Sequence, residues 1–570
     1  METKAIKPDY LFEVSWEICN KIGGIHTVVA SKAQLIINEL GDNYITIGPD
    51  VLRDDVNHPE FEPIAELFPG WAGKAASQGL RIKVGRWVAP GNPVAVLVDF
   101  SQYINNKDAI FTNFWEKFGL DSLSGQWDYI EPMLFGYAAG KVIDSFVDYH
   151  TDAPKKVVAQ FHEWMTGSGV LYLKDNAPGI GTIFTTHATV LGRSIAGNGR
   201  PLYREMEQVK PLQVAKDLGI ISKNSIERLA AQNADCFATV SDLTAKECAL
   251  LLEKQPDIVT PNGFDENVIP DIGNYKEKRT NGRAKLIQVA NALLGKQLSS
   301  DVMLAGIGGR YEFKNKGIDI FIKALSKLNK NQGLKREVVA FFFIPANQYG
   351  ARKDLLKKLE EQTNEKLPLN FISHNLHDLD FDPIVAAFKK GQLFNDANSK
   401  VNVIFVPCYL NGSDGIFNID YYHLLLSLDI SVFPSYYEPW GYTPLESVAF
   451  KVPTICTSLS GFGLYVRQHF PDTANAVKVI DRNDDNDDYV IDETANSLIT
   501  FSNLSGSDLA AASEHAYAIA SSALWANFIQ HYYTAFAKAL EKVEKREGFQ
   551  SLEKKQYQNR TGAPNSASSC

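Results

Sequence analysis

Short apolar runs alternate with longer amphipathic stretches along most of the chain. Runs at residues 10–15, 44–47, 94–99, 157–161, 182–186 and 236–240 are bounded by turn formers and predict buried strands. A second series follows at 302–307, 338–345 and 401–407. Between the runs, apolar positions recur at helical spacing. Val28, Val29, Ala33, Leu35, Ile36 and Leu40 mark one helix, and residues 132–146 and 318–328 give two more. Charged amphipathic stretches at 348–366 and 378–394 and a long one at 508–543 also predict helices. Strand alternating with helix predicts α/β architecture with parallel sheets covered on both faces.

With 570 residues the chain exceeds what one hydrophobic core organises, so two large domains are expected. Val259-Thr-Pro-Asn-Gly-Phe264 carries turn signals, and a polar stretch over 271–283 follows. The boundary is therefore placed near residue 270, giving domains 1–270 and 271–524, with a helical insertion at about 346–400. Residues 550–570 are polar and predicted to be structureless. A net charge of −10 argues against nucleic acid and for a neutral polymer or small substrate. No apolar run approaches a membrane span, and the first residues lack a signal core, so a cytoplasmic protein without membrane contact is expected. The six cysteines show no metal-type spacing and are expected as free thiols.

Residues 431–452 hold the densest chemistry. Val432 and Phe433 close an apolar run that begins near Leu424 and is read as a strand end. Pro434, Pro439 and Gly441 then interrupt regular structure. Thr443-Pro444-Leu445-Glu446 has the pattern of a helix start, with Thr443 as N-cap, Pro444 first in the helix and Glu446 in a capping box. Read alone, Glu446 is such a capping residue. Glu438 lies among Tyr436, Tyr437 and Trp440, where a carboxylate is costly unless paired or used. In an open parallel sheet this strand-to-helix turn borders the ligand crevice.

Other stretches offer chemistry with ordinary alternatives beside it. Gly23-Gly24, after Lys21, is a simple tight turn or a place where an anion meets a helix N-terminus. Phe161-His-Glu-Trp164 and His187-Ala-Thr-Val-Leu-Gly-Arg193 stand at strand ends, where a histidine is as often structural as functional. Gly308-Gly-Arg-Tyr-Glu-Phe-Lys-Asn-Lys-Gly317 sets Arg310 and Lys316 in a glycine-flanked loop before a helix, suited to a diphosphate or merely solvated. Lys314 is read as a surface residue. Tyr421 starts a further helix and is otherwise core packing. Residues 481–492 are acid-rich but lack the glycine and terminal glutamate of a calcium loop, so a solvated loop is expected.

Several of these motifs together resemble the eukaryote-type glycogen synthases. The words carrying the resemblance are Tyr-Tyr-Glu-Pro-Trp-Gly-Tyr-Thr-Pro with two acids eight positions apart, Lys-Ile-Gly-Gly-Ile, Phe-His-Glu-Trp, His-Ala-Thr-Val-Leu-Gly-Arg and Gly-Arg-Tyr-Glu-Phe-Lys-Asn-Lys-Gly. The resemblance covers roughly residues 10–540 and implies a GT-B fold, two Rossmann-like domains facing across a deep cleft, with the helix of about 525–549 completing the first. It implies retaining transfer of glucose from UDP-glucose to the non-reducing end of an α-1,4-glucan such as glycogen. ADP-glucose, a soluble acceptor or an inactive glucan-binding scaffold are the alternatives.

The implied catalytic residues are Glu438, Arg310, Lys316 and His187. The implied donor-binding residues are Lys21, Gly23, Gly24, Arg193, Tyr421, Tyr442, Thr443 and Glu446, with His162 and Glu163 on the acceptor side. The resemblance implies no cofactor and no metal, because Arg310 and Lys316 supply the cationic charge. It also implies a homo-oligomer. One departure stands out. No arginine-rich helix occurs over 492–543, so control by glucose 6-phosphate is not expected.

Overall fold

In the computed structural model, residues 7–561 are described except 53–57, 151–154, 270–271, 332, 362–365 and 473–474. The chain divides into two compact units. The first comprises Met1–Gly192, Gln208–Gly263 and Trp525–Cys570, the second Arg193–Glu207 and Phe264–Leu524. The expected boundary near residue 270 falls outside the described residues, and the division lies between Gly263 and Phe264. The segment 193–207 had been expected in the first domain and belongs to the second. Its backbone explains this: Leu202 N and Arg204 N donate to the Asp484 carboxylate at 2.9 and 2.6 Å.

The first unit is built on a nine-stranded sheet. Its strands are β1 (Tyr10–Val14), β2 (Tyr44–Pro49), β3 (Phe61–Pro63), β4 (Ile82–Trp87), β5 (Val94–Val98), β6 (Val157–His162), β7 (Gly181–Thr186), β8 (Cys236–Thr239) and β9 (Ile258–Val259). They run in the order β3-β4-β5-β2-β1-β6-β7-β8-β9. The β3–β4 and β4–β5 pairs are antiparallel and the rest parallel. The parallel centre is buried on both faces, which is why its strands read as apolar runs. The helix Trp127–Tyr149 carries Met133, Phe135 and Phe146 into this core.

The last helix, Trp525–Thr561, packs on this unit. Trp525 is buried, donates from Nε1 to Ser31 Oγ at 2.7 Å, and lies so close to Gly263 that a Cβ there would meet it at 2.6 Å. Further on, Arg546 donates to the buried Asp235 at 2.8 Å. The stretch expected to be structureless from residue 550 is instead helical to Thr561, and residues 562–570 lie outside those described. Its lysines, glutamates and glutamines are polar but favour helix, which low hydrophobicity alone conceals.

The second unit has a six-stranded parallel sheet. Its strands are β10 (Met303–Gly308), β11 (Val338–Phe343), β14 (Val401–Val406), β15 (Ile430–Val432), β16 (Thr454–Thr457) and β17 (Val477–Ile480), in the order β14-β11-β10-β15-β16-β17. β12 (Gln348–Ala351) and β13 (His374–Leu376) form a separate antiparallel pair. The expected helical insertion at 346–400 is therefore mixed: that pair with the helices Lys353–Glu361 and Pro383–Lys390. The apolar run from Leu424 is likewise split. Leu424 and Leu425 end the helix Tyr421–Leu425, and the strand begins only at Ile430.

Replacing Trp525 with alanine is expected to cost about 3–5 kcal/mol, through lost packing and the stranded Ser31 contact. Denaturant unfolding of the first unit measures this, and unchanged stability would show that the last helix is not anchored there.

Candidate active site

In the second unit, β10 ends in the loop that holds Arg310 and Lys316, and the helix Ile318–Asn329 follows. Gly317 caps that helix at φ +66°, and a Cβ on it would stand 1.9 Å from the Pro434 carbonyl oxygen. Only glycine permits this backbone approach. It carries the neighbouring residues into contact with the turn after β15. Asn315 O accepts from Tyr436 N at 2.8 Å and Tyr437 N at 3.1 Å. Lys316 Nζ donates to Glu438 Oε2 at 2.5 Å, and Ser435 Oγ reaches the same oxygen at 3.4 Å. Glu438 is thus buried and paired.

Arg310 is half-exposed and pairs with Glu312 at 2.9 Å. Burial alone would raise the Glu312 carboxyl, but the charges of Arg310, Lys316 and Arg193 hold it below its ordinary range. Arg193, Arg310 and Lys316 therefore form one cationic cluster around an acid that no sequence pattern singled out. Lys314 points elsewhere, to Asp319 at 2.7 Å.

The acid-rich stretch 481–492 is a loop, accessible to solvent apart from Arg482, only as far as Asn486, and becomes helix at Asp487. Arg482 is buried, donates to the Pro434 carbonyl and to Asp487, and lies over the Tyr436 ring at 5.5 Å. Asp484 accepts from the Tyr436 hydroxyl and from the backbone of segment 193–207, while Asp487 opens the helix Asp487–Ser502. Asp484 is thus spent on backbone amides and on bracing the Glu438 turn.

The helix after the turn runs Tyr442–Ala449 with Gly441 as N-cap at φ +109°, not Thr443. A Cβ on Gly441 would meet Ser460 Oγ at 2.8 Å, so the chain needs glycine there. Thr443 lies inside the first turn, and Glu446 is no capping-box residue. Glu446 instead accepts from the Tyr422 hydroxyl at 3.0 Å. Burial pushes its carboxyl up to about 7, with the Tyr422 bond opposing. Tyr421, Tyr442 and Thr443 are half-buried. The Tyr421 ring lies edge-on to Phe343 at 6.3 Å, and its hydroxyl has no hydrogen-bond partner among the described residues.

In the first unit, Lys21 is exposed and Gly23 caps the helix Gly24–Leu40. Part of the anion seat expected there is occupied by the chain itself: Glu17 Oε2 accepts from Gly23 N at 3.0 Å and His26 N at 2.8 Å. A Cβ on Gly23 would strike that carboxylate at 2.7 Å, whereas Gly24 faces open space. At the ends of β6 and β7, His162 and His187 are both buried, with Nδ1 and Nε2 2.9 Å apart. Glu163, at φ +65°, accepts from His187 N and Ala188 N at 3.0 Å each. Its carboxylate ties the two strand ends together.

One cluster among the described residues has metal-type donors, His374, Cys408 and Asp414. The His374 ring and the Asp414 carboxylate are already engaged. His374 Nε2 donates to the Asp414 carbonyl at 2.9 Å, and the Asp414 carboxylate accepts from the amides of Ile416, Phe417 and Asn418. The group reads as a structural network.

A family model described as glycogen synthase matches residues 13–360 and 352–570 of this chain. Liver glycogen [starch] synthase of Rattus norvegicus is 32% identical over 528 residues, spanning 83% of this chain and 75% of the relative. Glycogen [starch] synthase of Neurospora crassa is 28% identical over 560 residues, spanning 88% and 78%. Among solved structures, the catalytic domain of starch synthase IV from Arabidopsis thaliana, bound to ADP and acarbose, superposes with a TM-score of 0.54 at 13% identity. The match spans 94% of this chain and 100% of that one. An α,α-trehalose-phosphate synthase (UDP-forming) from Burkholderia vietnamiensis gives 0.52 at 9%, over 94% and 98%. Both likenesses establish the fold, which is GT-B.

Gly317→Ala is expected to destabilise the second unit by about 2–4 kcal/mol, because it adds left-handed strain and a backbone clash. A denaturant midpoint equal to wild type would show that loop and turn are not clamped.

The Glu446 carboxyl predicts a pH signature. Its folded pKa, about 7, lies above the 4.5 of an ordinary glutamate, so folding takes up a proton between these values. Stability is full below 4.5 and declines as pH rises to about 7, by roughly 3 kcal/mol at most. Glu446→Gln removes that decline, as the difference between the two stability–pH curves measures; parallel curves would refute it.

Proposed function

The chain belongs to the glycogen synthase family, and from that premise we propose that it transfers glucose from UDP-glucose to the non-reducing end of an α-1,4-glucan, with retention of configuration. Glycogen synthase activity is that of a glycosyltransferase with a nucleotide-sugar donor and a glucan acceptor. The observation that carries the finer reading is the clamp at Gly317. It seats Lys316 on the buried carboxylate of Glu438, on the loop that also carries Arg310; the two are the cations of a diphosphate site.

Cleavage of the bond between glucose and diphosphate develops negative charge on the leaving oxygens and positive charge at the reacting carbon. Arg310 and Lys316 stabilise the first, as fixed cations do in a site poor in water. Glu438, held by Lys316, orients the glucose and offsets the second. Glu446 accepts hydrogen bonds from the ribose, and Tyr421, Tyr442 and Thr443 line the nucleotide. His187 contacts the glucose, Arg193 a phosphate, and Lys21, Gly23 and Gly24 the diphosphate and sugar. His162 and Glu163 belong to the acceptor side.

Attack proceeds on the face that the diphosphate leaves, and the departing phosphate helps deprotonate the acceptor hydroxyl. The reaction requires no added metal, since Arg310 and Lys316 supply the countercharge. The protein works in the cytoplasm, as a homo-oligomer. Among the described residues, no helix is long and apolar enough to cross a membrane.

Transfer of labelled glucose to glycogen tests the reading, with UDP-glucose and ADP-glucose compared, with and without a chelator and glucose 6-phosphate. Expected are preference for UDP-glucose and indifference to both additions. Glu438→Ala is expected to lower kcat on the order of 10²-fold at unchanged fold. A wild-type protein that binds glycogen yet transfers from neither donor would overturn the activity.

A further inference from the structure

Glu446 sits on the helix Tyr442–Ala449 and is half-buried. One of its oxygens, Oε1, accepts from the Tyr422 hydroxyl at 3.0 Å. Among the described residues, Oε2 meets no donor, and no cation offsets the burial that pushes this carboxyl up to about 7. The cations of the nearby loop are engaged with other acids, Lys316 with Glu438 and Arg310 with Glu312. Tyr421 and Tyr442 are the other titratable neighbours of the Tyr422–Glu446 pair.

Tyr422 is itself held in place. Asp420 caps its short helix, accepting from His423 N at 3.1 Å. The Tyr422 ring lies flat on Phe450, with centroids 4.9 Å apart and planes 16° from parallel. Phe450 is buried in turn: Phe264 meets it edge-on at 6.3 Å, and the Tyr275 hydroxyl donates to its carbonyl at 2.9 Å. The Tyr422 hydroxyl therefore has a fixed position, and Oε1 of Glu446 with it. Next in the chain, Tyr421 brings its hydroxyl to the end of β10, where a Cβ on Gly308 would meet it at 2.5 Å. The loop that carries Arg310 and Lys316 begins at that glycine, so the pair stands at the crevice end of the second sheet.

We propose that Tyr422 is a positioning residue for the donor: by holding Oε1 of Glu446 against a ring stacked on Phe450, it turns Oε2 to the ribose hydroxyls and so sets the affinity for the nucleotide. This rests on the reading of Glu446 as the ribose contact. A site built only for stability would place an apolar side chain here, since a carboxylate with one neutral donor is costly to bury. Nor does Glu446 cap its helix, which Gly441 begins. A carboxylate fixed through one oxygen loses little freedom when the other accepts from a ligand hydroxyl, which is the advantage of preorganisation. The ribose is remote from the reacting carbon, so the contact is alike in ground state and transition state. It acts on binding and leaves the chemical step alone.

Titration calorimetry with UDP and steady-state kinetics, both at about pH 8 where the Glu446 carboxyl is ionised, test this. Tyr422→Phe keeps the ring and its stack and removes only the hydroxyl. Expected are a Kd for UDP and a KM for UDP-glucose raised together about tenfold, with kcat and the KM for glycogen within about twofold of wild type. Glu446→Ala should raise the same two constants at least as far. Adding Tyr422→Phe to Glu446→Ala should then change nothing more, because the hydroxyl acts only through the carboxylate. Phe450→Leu, which loosens the stack but keeps the hydroxyl, should raise the Kd by a smaller factor, and it carries the test if Tyr422→Phe does not fold. A wild-type Kd in Tyr422→Phe, full additivity of the two substitutions, or a loss confined to kcat overturns the positioning role. If that role alone is wrong, Glu446→Ala still weakens UDP binding; if Glu446→Ala binds UDP like wild type, the ribose contact falls and the proposal with it.

Discussion

The chemistry of the second unit depends on one steric fact, the approach of Gly317 to the carbonyl of Pro434. No residue with a Cβ fits at that distance, and the glycine also takes a left-handed conformation. From this follow the two amide bonds to Asn315 O, and from those the height of the turn that exposes Glu438 to Lys316. Arg482 grips the same Pro434 carbonyl and stacks on Tyr436, so the turn is held by groups from two directions. A carboxylate among aromatic rings is tolerable only because this frame delivers an ammonium to it.

The periodic parts of the fold were legible in the sequence. Strands buried on both faces read as mostly apolar runs: β11 without a break, β1 with only Glu13 and β6 with Gln160 and His162 among apolar residues. The helix Ile318–Asn329 keeps its apolar stripe. Short strands were not. β16 and β17 have four residues each, and β17 is buried only at its ends, so neither gives a distinctive period. Thr443 illustrates a local pattern overruled by a longer-range one. Its spacing to Pro444 and Glu446 suits a capping box, yet Gly441 begins the helix because the backbone must clear Ser460.

Site residues divide in the same way. Arg310, Lys316 and Glu438 were visible because glycines, prolines and aromatics surround them in long, specific motifs. Glu312, Glu17 and Glu13 were passed over, since a single acid in a loop or strand announces nothing about its partner. Each acquires meaning only when the fold brings distant groups to it: Arg193 near Glu312, the helix amides at Glu17, Lys32 and His162 at Glu13. The acid-rich stretch 481–492 was legible only in part, for the opposite reason. Its composition suggested solvation, which holds for the exposed Asp481, Asp485 and Asp488, while Asp484 serves backbone amides and Asp487 the buried Arg482.

These charges are of two physical kinds, and the difference bears on what each can do. The Arg310–Glu312 pair is accessible to solvent, Arg310 showing 54% of its side chain. Such pairs contribute only about 0–1 kcal/mol, so a phosphate oxygen can replace the partner acid at little cost. The Lys32–Glu13 pair has no exposure at all, and separating it would leave an uncompensated charge in the core, a loss of about 3–5 kcal/mol. Exchangeable charges suit the binding and release of an anion in every turnover. A charge that cannot be exchanged suits the opposite task, holding His162 with its proton on the nitrogen that faces Glu13.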